Sequence, residues 1–256
     1  MKKLLFILAV LSLSAATVFA QSAEDIVRAS RERIKADTVS TRSRMMITAK
    51  DGSVTERLLD QYTSKVSGTT KTVVVFQKPA SVAGTRFLTI SNPGKIDDRW
   101  IFLPSLGKVR RIAAGEGSGS FMGTDMSYDD ISSMDRDVSL DTYALLKDEN
   151  LDGRPCWVIE AKPKDPGYQY SRMVGWIEKS TSISLKMELY DKKGVLVKVM
   201  EIQDTKDVQG KLTPVVTKMS TVQAKTSTTI YVDIIKYNDP IPASVFTERF
   251  LLTGRP

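Results

Sequence analysis

The chain contains no histidine and a single cysteine, Cys156, in 256 residues. Without histidine there is no Ser-His-Asp or Cys-His constellation and no histidine-ligated zinc, and the usual near-neutral pH switch is missing. One cysteine excludes an intrachain disulfide, so stability has to come from a buried core. Cys156 lies in "RPCWVIEA" beside Trp157 and reads as a small buried hydrophobe rather than a reactive thiol. Blocks of like charge are also missing. The 37 basic and 30 acidic residues are scattered among Ser and Thr, which leaves out the clustered basic stripe of a nucleic-acid footprint. Beyond residue 20 no stretch is apolar enough to span a bilayer.

What is present starts with "MKKLLFILAVLSLSAATVFA". Two lysines, an apolar run from Leu4 to Leu13 and small residues ending at Ala20 have the form of a secretory signal peptide, residues 1–20. Val18 and Ala20 suit the cleavage positions, so a mature chain from Gln21 is expected. No cysteine stands just after the apolar run, so the reading is an exported chain without a lipid anchor. Residues 21–256 show no composition break and are read as one domain.

The segment "QSAEDIVRASRERIKAD" has Ser22 and Asp25 in capping-box spacing, with Ile26, Val27, Ala29 and Ile34 to one side. It predicts one amphipathic helix of about four turns. From Val39 onward the pattern is one of strands. Asp51-Gly52, Asp152-Gly153, Lys193-Gly194 and Gln209-Gly210 mark turns between runs rich in β-branched and aromatic residues. Connections this short favour antiparallel neighbours. Some ten or eleven strands are expected, in a barrel or an open sheet. In "SLKMELYD", Leu185, Met187 and Leu189 alternate with Lys186, Glu188 and Tyr190, predicting one apolar and one wet face. The tail "IPASVFTERFLL" is expected to pack Phe246 and Phe250 against the sheet.

Candidate chemistry is sparse. "GEGSGSFMGT" lacks the Gly-Lys-Ser/Thr ending of a phosphate loop and the Gly-x-Ser-x-Gly of a nucleophile elbow, and its glycines are read as providing flexibility. The acids Asp125, Asp129, Asp130, Asp135 and Asp137 do not have EF-hand spacing. Capping of a short helix from Ser127 or Asp129, with pairing to Arg110, Arg111 and Arg136, is the expectation. No paired carboxylates stand out, no cofactor is implied, and the chain is not read as an enzyme. The many aromatics and methionines point to an adaptable hydrophobic ligand cavity.

"GTRFLTI", "DDRWIFLPSLGKVRRI" and "GSFMGTDMSYDDI", in that order after a leader and one helix, resemble the LolA-like family of outer-membrane lipoprotein-sorting proteins, in a longer branch with the "FMGTDMSYDD" motif. The resemblance implies a mainly β fold: a single open, curved antiparallel sheet, an incomplete barrel, with an N-terminal helix and short helices covering an apolar cavity. It also implies a periplasmic carrier that reversibly binds acyl chains of lipoproteins or lipids, with an inner-membrane transporter as donor and an outer-membrane acceptor. The carrier is expected to be monomeric. The alternatives are a non-catalytic accessory protein docking an envelope complex, or an enzyme acting on lipid or glycan. Cavity and lid candidates are Ile26, Ile34, Phe76, Leu88, Trp100, Phe102, Phe121, Met122, Trp157, Trp176, Met187 and Leu189. Trp100 and Phe102 are expected to face inward because aromatic bulk suits a cavity wall. Arg86, Arg110 and Arg111 are candidates for head-group contacts.

Overall fold

The computed structural model describes residues 21–133 and 136–256. The expected leader at 1–20 lies outside the described residues, as does Asp135. Ser22 caps α1 (Ala23–Glu32), its side chain accepting from the Asp25 amide, so the capping-box spacing starts the helix where expected. The helix stops at Glu32, short of Ile34, because the chain has to turn into the first strand at Thr38.

Thirteen strands follow. The first six are β1 (Thr38–Thr48), β2 (Val54–Val66), β3 (Thr69–Lys78), β4 (Arg86–Ser91), β5 (Asp98–Leu103) and β6 (Lys108–Arg111). A short helix, α2 (Tyr128–Ser133), precedes β7 (Asp141–Leu151), β8 (Arg154–Pro163), β9 (Arg172–Glu178), β10 (Ser184–Tyr190), β11 (Leu196–Val208), β12 (Lys211–Thr221) and β13 (Thr226–Tyr237). A 3-10 turn at Ala243–Phe246 and α3 (Glu248–Thr253) end the chain. Asp152-Gly153 and Gln209-Gly210 form two-residue connections with positive φ at both positions, as does Ser67-Gly68. This is the hairpin turn whose twist matches the strands it joins.

All thirteen strands form one antiparallel sheet in the order β6-β5-β4-β3-β2-β1-β13-β12-β11-β10-β9-β8-β7. Two meanders therefore meet at a central β1·β13 seam, and the consecutive strands β6 and β7 are the two outer edges. The connection between them, residues 112–140, has to cross a face of the sheet. We call it the strap.

The sheet cannot be flat. Ile101 on β5 and Ala161 on β8 belong to clusters that both include Ile131 of the strap. Ten strand spacings separate β5 from β8, about 48 Å at about 4.8 Å per spacing. The segment from Phe121 to Ile131, even fully extended, spans less than about 40 Å. The sheet therefore curls around the strap, giving an open, incomplete barrel with an inner face.

Strand alternation separates the two faces. Inner positions include Met45, Leu59, Val74, Phe76, Phe87 and Ile101 in the first half, and Met173, Met187, Leu189, Met200 and Met219 in the second. The inner face continues to Trp157 and Ile159, which share the parity of Ala161 and are covered by Ile26 and Val27 of α1. On the outer face, Val245, Phe246, Phe250 and Leu251 of the tail bury Val73, Leu88 and Phe102, with Trp100 at the margin.

This arrangement corrects several expectations. Trp100, Phe102 and Leu88 face outward, because the C-terminal segment needs a bulky apolar floor on that side. The tail does pack Phe246 and Phe250 against the sheet, but opposite the strap, so α3 does not cover the inner face. Trp176 also points outward, pairing across from Val158 with the Lys186 ammonium 4.5 Å from its ring. Leu185 leaves the parity of Met187 and Leu189 and joins Cys156 and Trp176, because the β10 register shifts between Ser184 and Lys186.

Candidate functional site

The strap folds onto itself before it packs on the sheet. The Phe121 amide donates to the Met126 carbonyl at 2.8 Å, the Tyr128 amide donates to the Gly119 carbonyl at 3.1 Å, and Ser120 bridges Ser127. This small hairpin reverses through Met122 (φ 54°) and Gly123 (φ 74°). Gly117 has an ordinary helical φ of −58°, yet a Cβ there would overlap the Asp129 carboxylate. These two glycines serve a turn and a close approach rather than general flexibility.

The hairpin projects Phe121 into the first half of the inner face. Its side chain is completely buried, with ring centroids of Phe87, Tyr128 and Phe76 at 5.1, 5.6 and 5.8 Å. Met126 enters the second half among Tyr168, Tyr170, Met173, Leu189 and Met219. One short segment thus fills both an aromatic and a methionine-rich compartment, and Ile131 and Ile230 contribute to each. A cleft of about 220 Å³ along β7 and β8 and another of about 80 Å³ beside α2 are both smaller than the roughly 300–1,000 Å³ of typical ligand pockets. The inner face is occupied by the chain's own side chains.

Polar contacts hold the strap at four points. Arg57, half-buried on β2, donates from Nη1 to the Met122 carbonyl at 2.7 Å and lies 5.9 Å from the Phe76 ring; burial lowers its pKa. The buried Asp125 carboxylate accepts from Thr221 (2.6 Å), Thr228 (2.8 Å) and Thr226 of β12 and β13. Ser127 and Asp130 form a reciprocal capping box at the start of α2, and Asp130 also accepts from Lys198 Nζ and Tyr170 Oη, at 2.7 and 2.8 Å. Arg99, about 5% exposed on β5, donates to Asp129 at 2.7 Å and to Ser132 at 3.0 Å, with Asp97 at 3.5 Å. Desolvation raises the pKa of both Asp97 and Asp129 despite this shared arginine.

The acids therefore do cap α2, with Ser127 as expected, but their cationic partners are Arg99 and Lys198. Arg110 pairs with Glu116, Arg111 with Asp98, and Arg136 with Asp141. Among the described residues no group of three or more potential ligands is placed to hold a metal ion.

Of the site candidates, Ile26, Phe76, Phe121, Met122, Trp157, Met187 and Leu189 come together on the inner face or its covers. Leu88, Trp100, Phe102 and Trp176 do not, and Ile34 lies past the end of α1. Arg86 is structural, donating to the Leu251 carbonyl at the end of α3 and stacking 4.6 Å from Phe102. Arg110 is exposed on edge strand β6, and Arg111 lies beside Trp100 on the outer side. Arg57, Arg99, Tyr168 and Tyr170 were not singled out by sequence. The available signal was an arginine in apolar register: Arg57 shares the parity of Leu59, and Arg99 that of Ile101. Cys156 is buried on the outer face and burial raises its thiol pKa, which fits a small core residue.

A family model described as an uncharacterized-protein family matches residues 68–253. No curated protein matches the chain. Solved structures do. The chain is similar to a DUF1329 family protein from Desulfovibrio piger (29% identity, TM-score 0.86, covering 90% of this chain and 97% of the other). It is also similar to a putative outer membrane lipoprotein-sorting protein domain from Vibrio parahaemolyticus (27%, TM-score 0.85, 90% and 98%). A LolA superfamily protein from Nitrosomonas europaea shares the fold at 19% identity (TM-score 0.72, 90% and 100%). The family model covers most of the chain, so the chain belongs to that family, and its open thirteen-stranded sheet with a crossing strap has the LolA-like fold.

Proposed function

We propose that the chain is a periplasmic carrier that takes up acyl chains of lipoproteins or lipids against the inner face of the sheet and passes them between envelope membranes. The observation that carries this reading is the placement of Phe121. A wholly buried aromatic sits at the tip of a hairpin that Arg57 and the Asp125 threonines also tie to the sheet, in the space that hydrocarbon would fill. Each methylene moved out of water contributes about 0.8 kcal/mol, so a chain of about fifteen is worth on the order of 12 kcal/mol if fully sheltered. A pocket that kept this full amount would scarcely release its cargo. A closed state in which the protein packs its own phenylalanine and methionines into the space competes with the ligand and lowers the net affinity to a reversible range.

In this reading the strap and α1 are the lid. Donor and acceptor are an inner-membrane transporter and an outer-membrane acceptor, and the leader directs export. The test is native mass spectrometry of the chain purified without detergent from an envelope fraction, followed by extraction of what accompanies it. A bound lipid or acylated peptide that exchanges into vesicles supports the carrier. A disulfide that pins the strap to the sheet should block uptake, and unchanged uptake in that variant would sink the lid assignment. The filled inner face favours one second reading, an accessory protein with a permanently closed core. That protein would arrive empty, take up no lipid and retain a membrane partner in a pull-down.

A further inference from the structure

The 80 Å³ cleft beside α2 is lined by Lys95, Asp97, Arg99, Asp129, Arg136, Asp165 and Tyr168, among others. It mixes both signs of charge, and hydrogen-bonding capacity decides which sign of ligand it fits. The arginines are already engaged. Arg99 is shared among Ser132, Asp129 and Asp97, while Arg136 holds Asp141 through Nε and Nη2 and stacks 4.1 Å from the Tyr168 ring. The acceptors are not. Among the described residues no hydrogen bond reaches Asp129 Oδ2, and Asp165 uses only Oδ1, for the Gly167 amide. Tyr168 is 9% exposed, and its buried hydroxyl has no partner among the described residues, which leaves a buried polar group unsatisfied. A carboxylate offers about four lone-pair sites, so half-buried Asp129 and the Tyr168 hydroxyl present acceptor capacity inside the cleft, and exposed Asp165 presents more at its mouth. Desolvation raises the pKa of Asp97 and Asp129, with Arg99 opposing it. Lys95 is exposed at the rim and can swing away.

We propose that this cleft binds a primary ammonium group, with N–H donors reaching Asp129 Oδ2, Asp165 Oδ2 and Tyr168 Oη. A trimethylammonium group has no N–H to give and is bulkier, and an anion would meet acceptors. The same chemistry is offered by a free amine or by the head of an ethanolamine lipid. In the second case the inference rests on the carrier reading, because the cleft adjoins the strap and Tyr168 belongs to the methionine compartment.

The test has two arms, both on the full exported chain. In the first, protein carrying 13C-labelled tyrosine is titrated with ethanolammonium chloride, choline chloride or sodium phosphate, with Tyr168→Phe identifying the resonance. A saturable shift of Tyr168 with ethanolammonium alone is expected, weakened about threefold to fivefold by Asp165→Asn. No shift with ethanolammonium, meaning a cleft that holds only water, would overturn the site, and so would a response to phosphate. In the second arm the protein is incubated with phosphatidylethanolamine or phosphatidylcholine vesicles of matched acyl chains. Preference for ethanolamine heads that is lost in Asp165→Asn assigns the site to lipid. Equal uptake beside a positive first arm assigns it to free amines. Uptake of neither lipid counts against the carrier and leaves the ammonium titration to stand by itself.

Discussion

Replacing Phe121 by alanine separates a lid from an ordinary core residue. The ring is fully buried and touches three other rings, so its loss should cost about 3–5 kcal/mol of folding stability, as for other large-to-small core changes. Phe250→Ala on the outer face, where the side chain is also buried among apolar neighbours, should cost a similar amount. The two variants should part company in ligand binding. If Phe121 competes with hydrocarbon, removing it destabilises the closed state relative to the open one. Each 1.4 kcal/mol of that difference raises apparent affinity about tenfold, until the protein is mostly open. With part of the packing loss felt in the open state as well, a gain of roughly tenfold to a hundredfold is expected for a long-chain fluorescent fatty acid, and none for Phe250→Ala. Urea unfolding with and without the fatty acid measures both quantities in one experiment. Equal affinity in the two variants, or a weaker Phe121→Ala, would refute competition and leave Phe121 as core.

Other outcomes follow from the strap's anchors. Gly117→Ala keeps an allowed backbone but drives a methyl into the Asp129 carboxylate, so Asp129 should leave Arg99 and hydrogen exchange over α2 should accelerate; unchanged exchange would contradict the anchor. Arg57→Met removes the donor to the Met122 carbonyl and should cost about 1–2 kcal/mol, with faster exchange confined to the Phe121–Met126 hairpin. Asp125→Ala leaves three threonine hydroxyls without their acceptor and should cost about 3 kcal/mol or more by denaturant titration. The pH dependence has two opposite components. Glu178 is held below its ordinary range, chiefly by the hydrogen bonds from Arg154, so its contribution is present above the unfolded pKa and is lost as pH falls through the folded value. Asp129 is raised by desolvation, so its charged form burdens the fold and stability is gained as pH falls through its folded pKa towards the unfolded one. Glu178→Gln should therefore flatten the acid loss and Asp129→Asn should deepen it, as read from unfolding midpoints across the acid range.

Much of the architecture was legible because hairpins are local. Asp152-Gly153 and Gln209-Gly210 announce their turns through the positive φ that the connection demands, and Ser22 with Asp25 fixes the start of α1. Which face a strand presents was less legible. In "RWIFL" both parities are apolar because both are covered, Ile101 by Phe121 and Phe102 by the tail, and nothing local tells one cover from the other. Leu185 shows the same limit, since the register shift that turns it outward depends on pairing with β9. Charge pairing was the least legible. Arg99 and Lys198 reach Asp129 and Asp130 across long stretches of chain, whereas the nearer Arg110, Arg111 and Arg136 found other acids. Arginine in apolar register, at Arg57 and Arg99, was the one signal that could have identified two of the strap's anchors beforehand.

The strap joins the two outermost strands of a curled sheet, which makes it a bowstring as well as a plug. Its ends are tied to β6 and β7, so Phe121 and Met126 cannot be drawn off the inner face without either slackening the string or changing the distance between the limbs of the bow. Spectroscopic labels on the two edge strands would then move whenever the hairpin does, and clamping the edges together would hold the hairpin in place. Cutting the string would sever the chain but spare the β1·β13 seam, leaving two meanders still joined at the grip and free to spread.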